Sequence, residues 1–183
     1  AGQKYWLITF VHSMIAALTI VVLFKAYEIL QEKKQSRSSS LGACVFIFGI
    51  FLAESRWFNR PEVWSHFYGS VFIYILLRHW KIKPTSKHDR LIFLLPLIQI
   101  FWTNTHGIFL AGPFLIFCFW LSEIFEKQKF KSELLVIFSL TIFACLINPR
   151  GIQGAIFPLH LLSILRHPFY QHTIPEATNP FLD

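Results

Sequence analysis

The sequence predicts an all-α integral membrane protein: a polytopic bundle of about six transmembrane helices with one further interfacial or oblique helix. Three observations carry that prediction. Of the 183 residues, 54% are hydrophobic and only 15% charged, against about 45 to 50% and about 25% in an average soluble domain. Phe alone contributes 21 residues, more large side chains than a soluble domain of this size can hide alongside its long apolar runs. Lys and Arg outnumber the acids 17 to 10, yet they gather in short loops between apolar runs, which is a membrane-topology signal and excludes a nucleic-acid face.

Six apolar segments follow in order: Tyr5 to Phe24, Leu41 to about Phe58, Pro61 to Leu77, Leu91 to Trp102, Gly107 to Phe125 and Leu134 to Ile147. A seventh, Ile152 to Leu165, lies between Pro149 and Pro168 and is short enough to sit at the interface. Residues 1–183 thus read as one transmembrane unit, and the start at Ala1 without Met gives the expectation of a piece of a longer protein.

Loop charge sets the expected orientation. The loops after segments one, three and five hold twelve of the Lys and Arg residues, and the opposite side holds five. Cytoplasmic loops carry the excess, so the N-terminus is expected outside, in a bacterial inner membrane. The inner loops are plain Lys, Ser and Glu sequence. The outer turns 54–62, 103–107 and 148–151 and the tail 167–183 carry Asn, His, Arg, Glu and Trp together with turn-forming Gly and Pro.

Residues 90–104 and 133–147 would each make about 22 Å of helix, short of a hydrocarbon core of about 30 Å. If their basic ends lie at the inner interface, the turns 104–107 and 148–151 stop below the outer surface. Irregular backbone at that depth has to be buried in protein or line a wet cavity. An outward-facing polar pocket sunk into the membrane is therefore expected.

Each outer turn has both a structural and a chemical reading. In Asn59-Arg-Pro-Glu62, Asn59 suits a helix cap, Pro61 the first turn and Glu62 the positive end of the helix dipole. Arg60 and Arg56 are not needed for that; their planar donors fit an anionic ligand or lipid head group, with snorkelling to phospholipid as the alternative. In Trp102-Thr-Asn-Thr-His-Gly107, Asn104 and Gly107 suit a tight hairpin, while His106 is an ionisable group at membrane depth able to orient a hydroxyl, meet a phosphate or move a proton. In Asn148-Pro-Arg-Gly151, Pro149 and Gly151 make a turn that does not require Arg150. His167, His172 and Glu176 follow in a Pro-rich stretch that is either a pocket rim or a connector. His12 and Gly112-Pro113 read as packing and kink features.

Cys44, Cys118 and Cys145 are scattered through apolar sequence and suggest neither a disulfide framework nor a zinc site. No metal-binding spacing occurs. The chain also lacks a nucleophile elbow, a phosphate-binding Gly loop and a redox CxxC. No internal repeat is visible, which weighs against an inverted-repeat transporter.

In sequence, Arg60-Pro61 opening a helix, the Trp-x-Asn-x-His-Gly turn at 102–107, Asn148-Pro-x-Gly151 before a further helix, and Ile174-x-Glu-x-x-x-Pro180 together resemble bacterial polytopic proteins of the GT-C glycosyltransferase superfamily. The resemblance implies transfer of a sugar from a polyprenyl-phosphate-linked donor to an acceptor glycan or lipid at the outer, periplasmic face of the cell envelope, among membrane lipids. No cofactor is evident, and some branches use a divalent metal. It also implies a catalytic carboxylate in the first outer loop, whereas the Asp residues here are Asp89, on the inner side, and Asp183. That carboxylate is expected upstream of Ala1. Arg56, Arg60 and Arg150 become candidates for the donor phosphate, and Asn104 and His106 for sugar or acceptor. Glu62 and Glu176 complete the substrate-binding candidates, although Ala177-Thr-Asn follows Glu176 where the family has an aromatic residue. The runner-up is a transporter or a lipid- or anion-binding module without catalysis.

Overall fold

The computed structural model describes residues 5–31, 61–81, 90–127 and 132–165. Among them the chain is all-helical: α1 (Tyr5–Gln31), α2 (Glu62–Lys81), a 3-10 turn (Arg90–Leu94) running into α3 (Leu95–Thr103), α4 (Ala111–Lys127), α5 (Ser132–Ala144) and α6 (Ile152–Leu165). The second predicted segment, Leu41 to Phe58, lies outside the described residues. One helix among those described, Trp6–Gln31, is long and apolar enough by itself to cross a membrane.

Helix ends depart from the apolar runs for local reasons. α1 continues seven residues past Phe24, where Lys25 and Glu28 form an i,i+3 pair at 4.0 Å on its exposed side. Its first seven residues past Phe24, read as loop from charge alone, therefore belong to the helix. The segment expected from Gly107 starts as a helix only at Ala111, so Pro113 falls in the first turn, where its missing N–H leaves no helical bond unmade. Pro113 thus starts the helix and does not kink it. α5 ends at Ala144, and its last turn tightens as Leu146 N–H donates to Phe143 O and Ile147 N–H to Ala144 O.

The core lies among α2, α3, α4 and α5. Phe72, Ile75 and Leu76 of α2 meet Ile92, Leu95 and Trp102, with Ile116 of α4 and Leu134 and Ile137 of α5 closing the cluster. Trp102 anchors it: the indole stacks on Tyr68 at 5.9 Å and takes an edge contact from Phe72 at 5.4 Å. α1 joins through a narrower stripe, where Ile15 and Ala16 pack with Val63 of α2. Most of its remaining surface is apolar and exposed, including Trp6, Phe10 and Val21.

Two buried threonines in this apolar bundle are satisfied locally, whereas Oε1 of the buried Gln99 has no hydrogen-bond partner among the described residues. Thr19 and Thr141 donate to the carbonyls of Ile15 and Ile137, one turn back. Gln99 is fully buried, and its Nε2 donates to Phe109 O at 2.9 Å and Thr103 Oγ1 at 3.2 Å, with Cys145 Sγ at 3.4 Å. The side chain of Gln99 rests against Gly112, where any Cβ would strike Oε1 of Gln99 and the ring of Phe72. Gly112 is therefore the close-packing residue of the α3, α4 junction.

Candidate functional site

Three stretches distant in sequence meet at one end of the bundle: the start of α2, the turn after α3 and the turn after α5. The turn after α3 is built by Thr103 to Gly107. Asn104, at the end of α3, donates through Nδ2 to Ile100 O at 2.7 Å within its own helix and to Ile147 O at 2.8 Å in the next turn. Both amide protons are thereby used, and only Oδ1 is left to face a ligand, as an acceptor. Thr105 spends its hydroxyl proton on the backbone at Phe101 or Trp102.

The second turn is organised by Asn148. Its Nδ2 donates to Cys145 O and Gly151 O, both at 2.9 Å, and its Oδ1 accepts the Arg150 backbone N–H at 2.8 Å. Gly151 has φ +54°, the left-handed geometry that the turn reading assigned to it. Gly154 lies directly against the Asn148 carboxamide, leaving no room for a Cβ. Arg150 is exposed, its guanidinium has no acidic partner among the described residues, and it stands beside the N-terminal end of α6, the positive end of that helix's dipole.

Between these turns lies a cavity of about 340 Å³, lined by the turn residues from Thr103 to Gly107, by Asn148, Pro149 and Arg150, and by Phe109, Gly154 and Phe157. Of the turns that sequence singled out, 103–107 and 148–151 form one pocket. No carboxylate lines it among the described residues, and none of those residues form a group of three or more His, Cys, Asp or Glu able to hold a metal ion.

His106 is half-buried, and its Nδ1 lies 2.7 Å from Ser65 Oγ on α2. Ser65 in turn accepts the indole N–H of Trp102 at 2.9 Å. Burial pushes the imidazole below the ordinary histidine pKa; the nearby Glu62 carboxylate opposes this and His66 adds to it. Glu62 opens α2, as expected, and influences His106 through its charge without lining the cavity.

Of the candidates, Asn104, His106 and Arg150 come together around the cavity, and Glu62 acts on His106 through its charge. Arg56, Arg60 and Glu176 lie outside the described residues. Sequence reasoning missed Ser65 and Gln99. Each is a polar residue inside an apolar helix, which is itself a functional or packing signal, but their partners lie 41 and 46 residues away for His106 and Cys145. Comparison with protein-family models, curated proteins and solved structures returns no match.

Proposed function

We propose that the chain is the donor-binding part of a polytopic membrane glycosyltransferase, six spans and an interfacial helix in a bacterial inner membrane with its N-terminus outside. In this reading the cavity receives the phosphate and sugar of a polyprenyl-linked donor, for transfer to an acceptor glycan or lipid. The observation that carries the reading is the pocket formed between the turns 103–107 and 148–151, with His106 and Arg150 in its wall. Broad exposure of large apolar side chains supports a lipid setting: Phe125 is 80% exposed, Ile152 69% and Phe114 64%. Cationic and N–H donors placed where phosphate charge develops would stabilise departure of the lipid phosphate from the anomeric carbon. The acceptor hydroxyl would lose its proton to a carboxylate supplied from elsewhere in the protein.

A second reading is a lipid- or anion-binding module without chemistry, and it is favoured by the absence of a carboxylate from the cavity wall among the described residues. Membranes holding the protein, given radiolabelled polyprenyl-phosphate sugars, separate the two. Transfer that falls roughly ten- to a hundredfold in Arg150→Ala, the loss expected for one charge-assisted hydrogen bond, and less in Arg150→Lys, supports the transferase. Donor binding without transfer in the unaltered protein favours the module. Transfer indifferent to Arg150 overturns the assignment of the cavity.

A further inference from the structure

We infer that Ser65 and Trp102 fix His106 in one neutral tautomer, so that its Nε2–H is presented to the cavity as a donor for an oxygen of a phosphate-class anion. The assignment follows from proton counting along the chain Trp102, Ser65, His106. An indole nitrogen can only donate, so at 2.9 Å Ser65 Oγ is the acceptor. The hydroxyl proton then needs an acceptor of its own. His106 Nδ1, at 2.7 Å, is the one the geometry offers among the described residues. Nδ1 must be bare to accept it, and a neutral imidazole with a bare Nδ1 carries its proton on Nε2.

Direction follows from the same contact. Nδ1 points to the buried Ser65, so Nε2, across the ring, turns toward the cavity that His106 lines. A protonated imidazole would leave two donors facing Ser65 Oγ and strand the hydroxyl proton, so the network itself selects the neutral form.

The character of the ligand comes from what is left over at the cavity. The amide protons of Asn104 and Asn148 are spent on carbonyls, and the Thr105 hydroxyl proton on backbone. Unspent donors remain on His106 Nε2 and on Arg150; the Glu62 charge reaches His106, but no carboxylate lines the cavity among the described residues. A convergent N–H and guanidinium suit the oxygens of a phosphate group. Ser65 and Trp102 are thus positioning residues, acting through His106. The inference rests on the cavity being the ligand site proposed above, but it concerns binding and tautomer, and its test is independent of sugar transfer.

The test uses the protein labelled with 15N-histidine in lipid nanodiscs, with NMR as the readout. Probes are nanodiscs containing polyprenyl phosphate, inorganic phosphate in the buffer, and nanodiscs of neutral lipid alone. We expect His106 at neutral pH to have a bare Nδ1 and a protonated Nε2, and its signal to move on adding a phosphate probe but not neutral lipid. A response to polyprenyl phosphate alone identifies a lipid head group as the source, and a response to both identifies phosphate itself. The amide nitrogen of Gln reaches the place of Nε2 and that of Asn the place of Nδ1, so His106→Gln should bind within about threefold of the unaltered protein and His106→Asn about ten- to a hundredfold more weakly, as for a lost bond to a charged group. Ser65→Ala should mix the two tautomers and weaken binding severalfold. A proton on Nδ1 in the unaltered protein, no response to either phosphate probe, or equal binding by the Gln and Asn variants overturns the inference. Phosphate binding of the expected pattern without sugar transfer would leave it standing and remove the transferase reading.

Discussion

At the residue scale, His106 is held by opposing forces that can be separated one at a time. Burial lowers its pKa, Glu62 raises it and His66 lowers it. Glu62→Gln should therefore lower the His106 pKa further, and His66→Ala should raise it, both readable as shifts of the imidazole signals in an NMR titration; a rise in the Glu62 variant would mean that the carboxylate does not act on the ring. A histidine whose folded pKa is depressed contributes stability that is fully present above its unfolded value of about 6.5 and is lost as pH falls through the folded value. Acid should thus weaken this end of the bundle through His106. His106 and Arg150 were legible in the sequence because a charge-capable side chain in a short turn between apolar runs has no packing role to explain it. Ser65 was not legible, since one hydroxyl in Val63-Trp-Ser-His66 looks like any small residue on a membrane helix until the indole and imidazole are seen to meet it.

At the element scale, the two turns depend on a single side chain that joins them. Asn104 bonds at once to α3 and to the turn after α5, so its loss should loosen the cavity wall without touching the core. Asn104→Ala should cost about 1 to 2 kcal/mol, two net hydrogen bonds of ordinary strength reduced by exposure. Asn104→Asp should cost more, because a carboxylate sets negative charge against two carbonyl oxygens; thermal unfolding in detergent orders the variants, and an Asp variant as stable as the unaltered protein would deny the clasp. Gly112→Ala tests the other side of α3. Its Cβ would enter the space of Gln99 and Phe72, and overpacking of this kind costs about 1 to 3 kcal/mol. The existence and order of the described helices could be read from apolar runs, whereas their ends could not. Hydropathy stops at Phe24 while the backbone ladder runs on through Lys25 and Glu28, and it includes Gly107 to Leu110, which form turns before α4. Apolar composition reports the solvent a segment prefers; helix ends are set by caps, Pro and turn geometry.

At the scale of the whole molecule, the arrangement of the turns and the distribution of charge are independent lines that bear on one topology. The cavity draws its walls from two turns predicted to lie on the same side, and Ser65 near the start of α2 reaches the first of them. If the charge rule holds, that common end faces outward and residues 33–40 and 81–87 face the cytoplasm. In lipid, apolar side chains gain little by leaving the tails for one another, so bundle contacts rest on close packing and on hydrogen bonds between elements, such as those from Gln99 to Phe109 and Cys145 beside the ends of α4 and α5. The exposed Phe, Leu and Ile side chains of α1 and α4 then need no protein cover. Single cysteines placed at Ser36, Ser86, Thr105 and Arg150, in a protein whose native cysteines are replaced by Ala, put this to the test with a membrane-impermeant maleimide on intact cells. Thr105 and Arg150 should label from outside, whereas Ser36 and Ser86 should label only after the membrane is opened. Labelling of all four from one side would remove the membrane topology, and with it the outward-facing site. Ser36 and Ser86 outside with Thr105 and Arg150 inside would keep the common end but invert it, moving any donor lipid to the cytoplasmic leaflet.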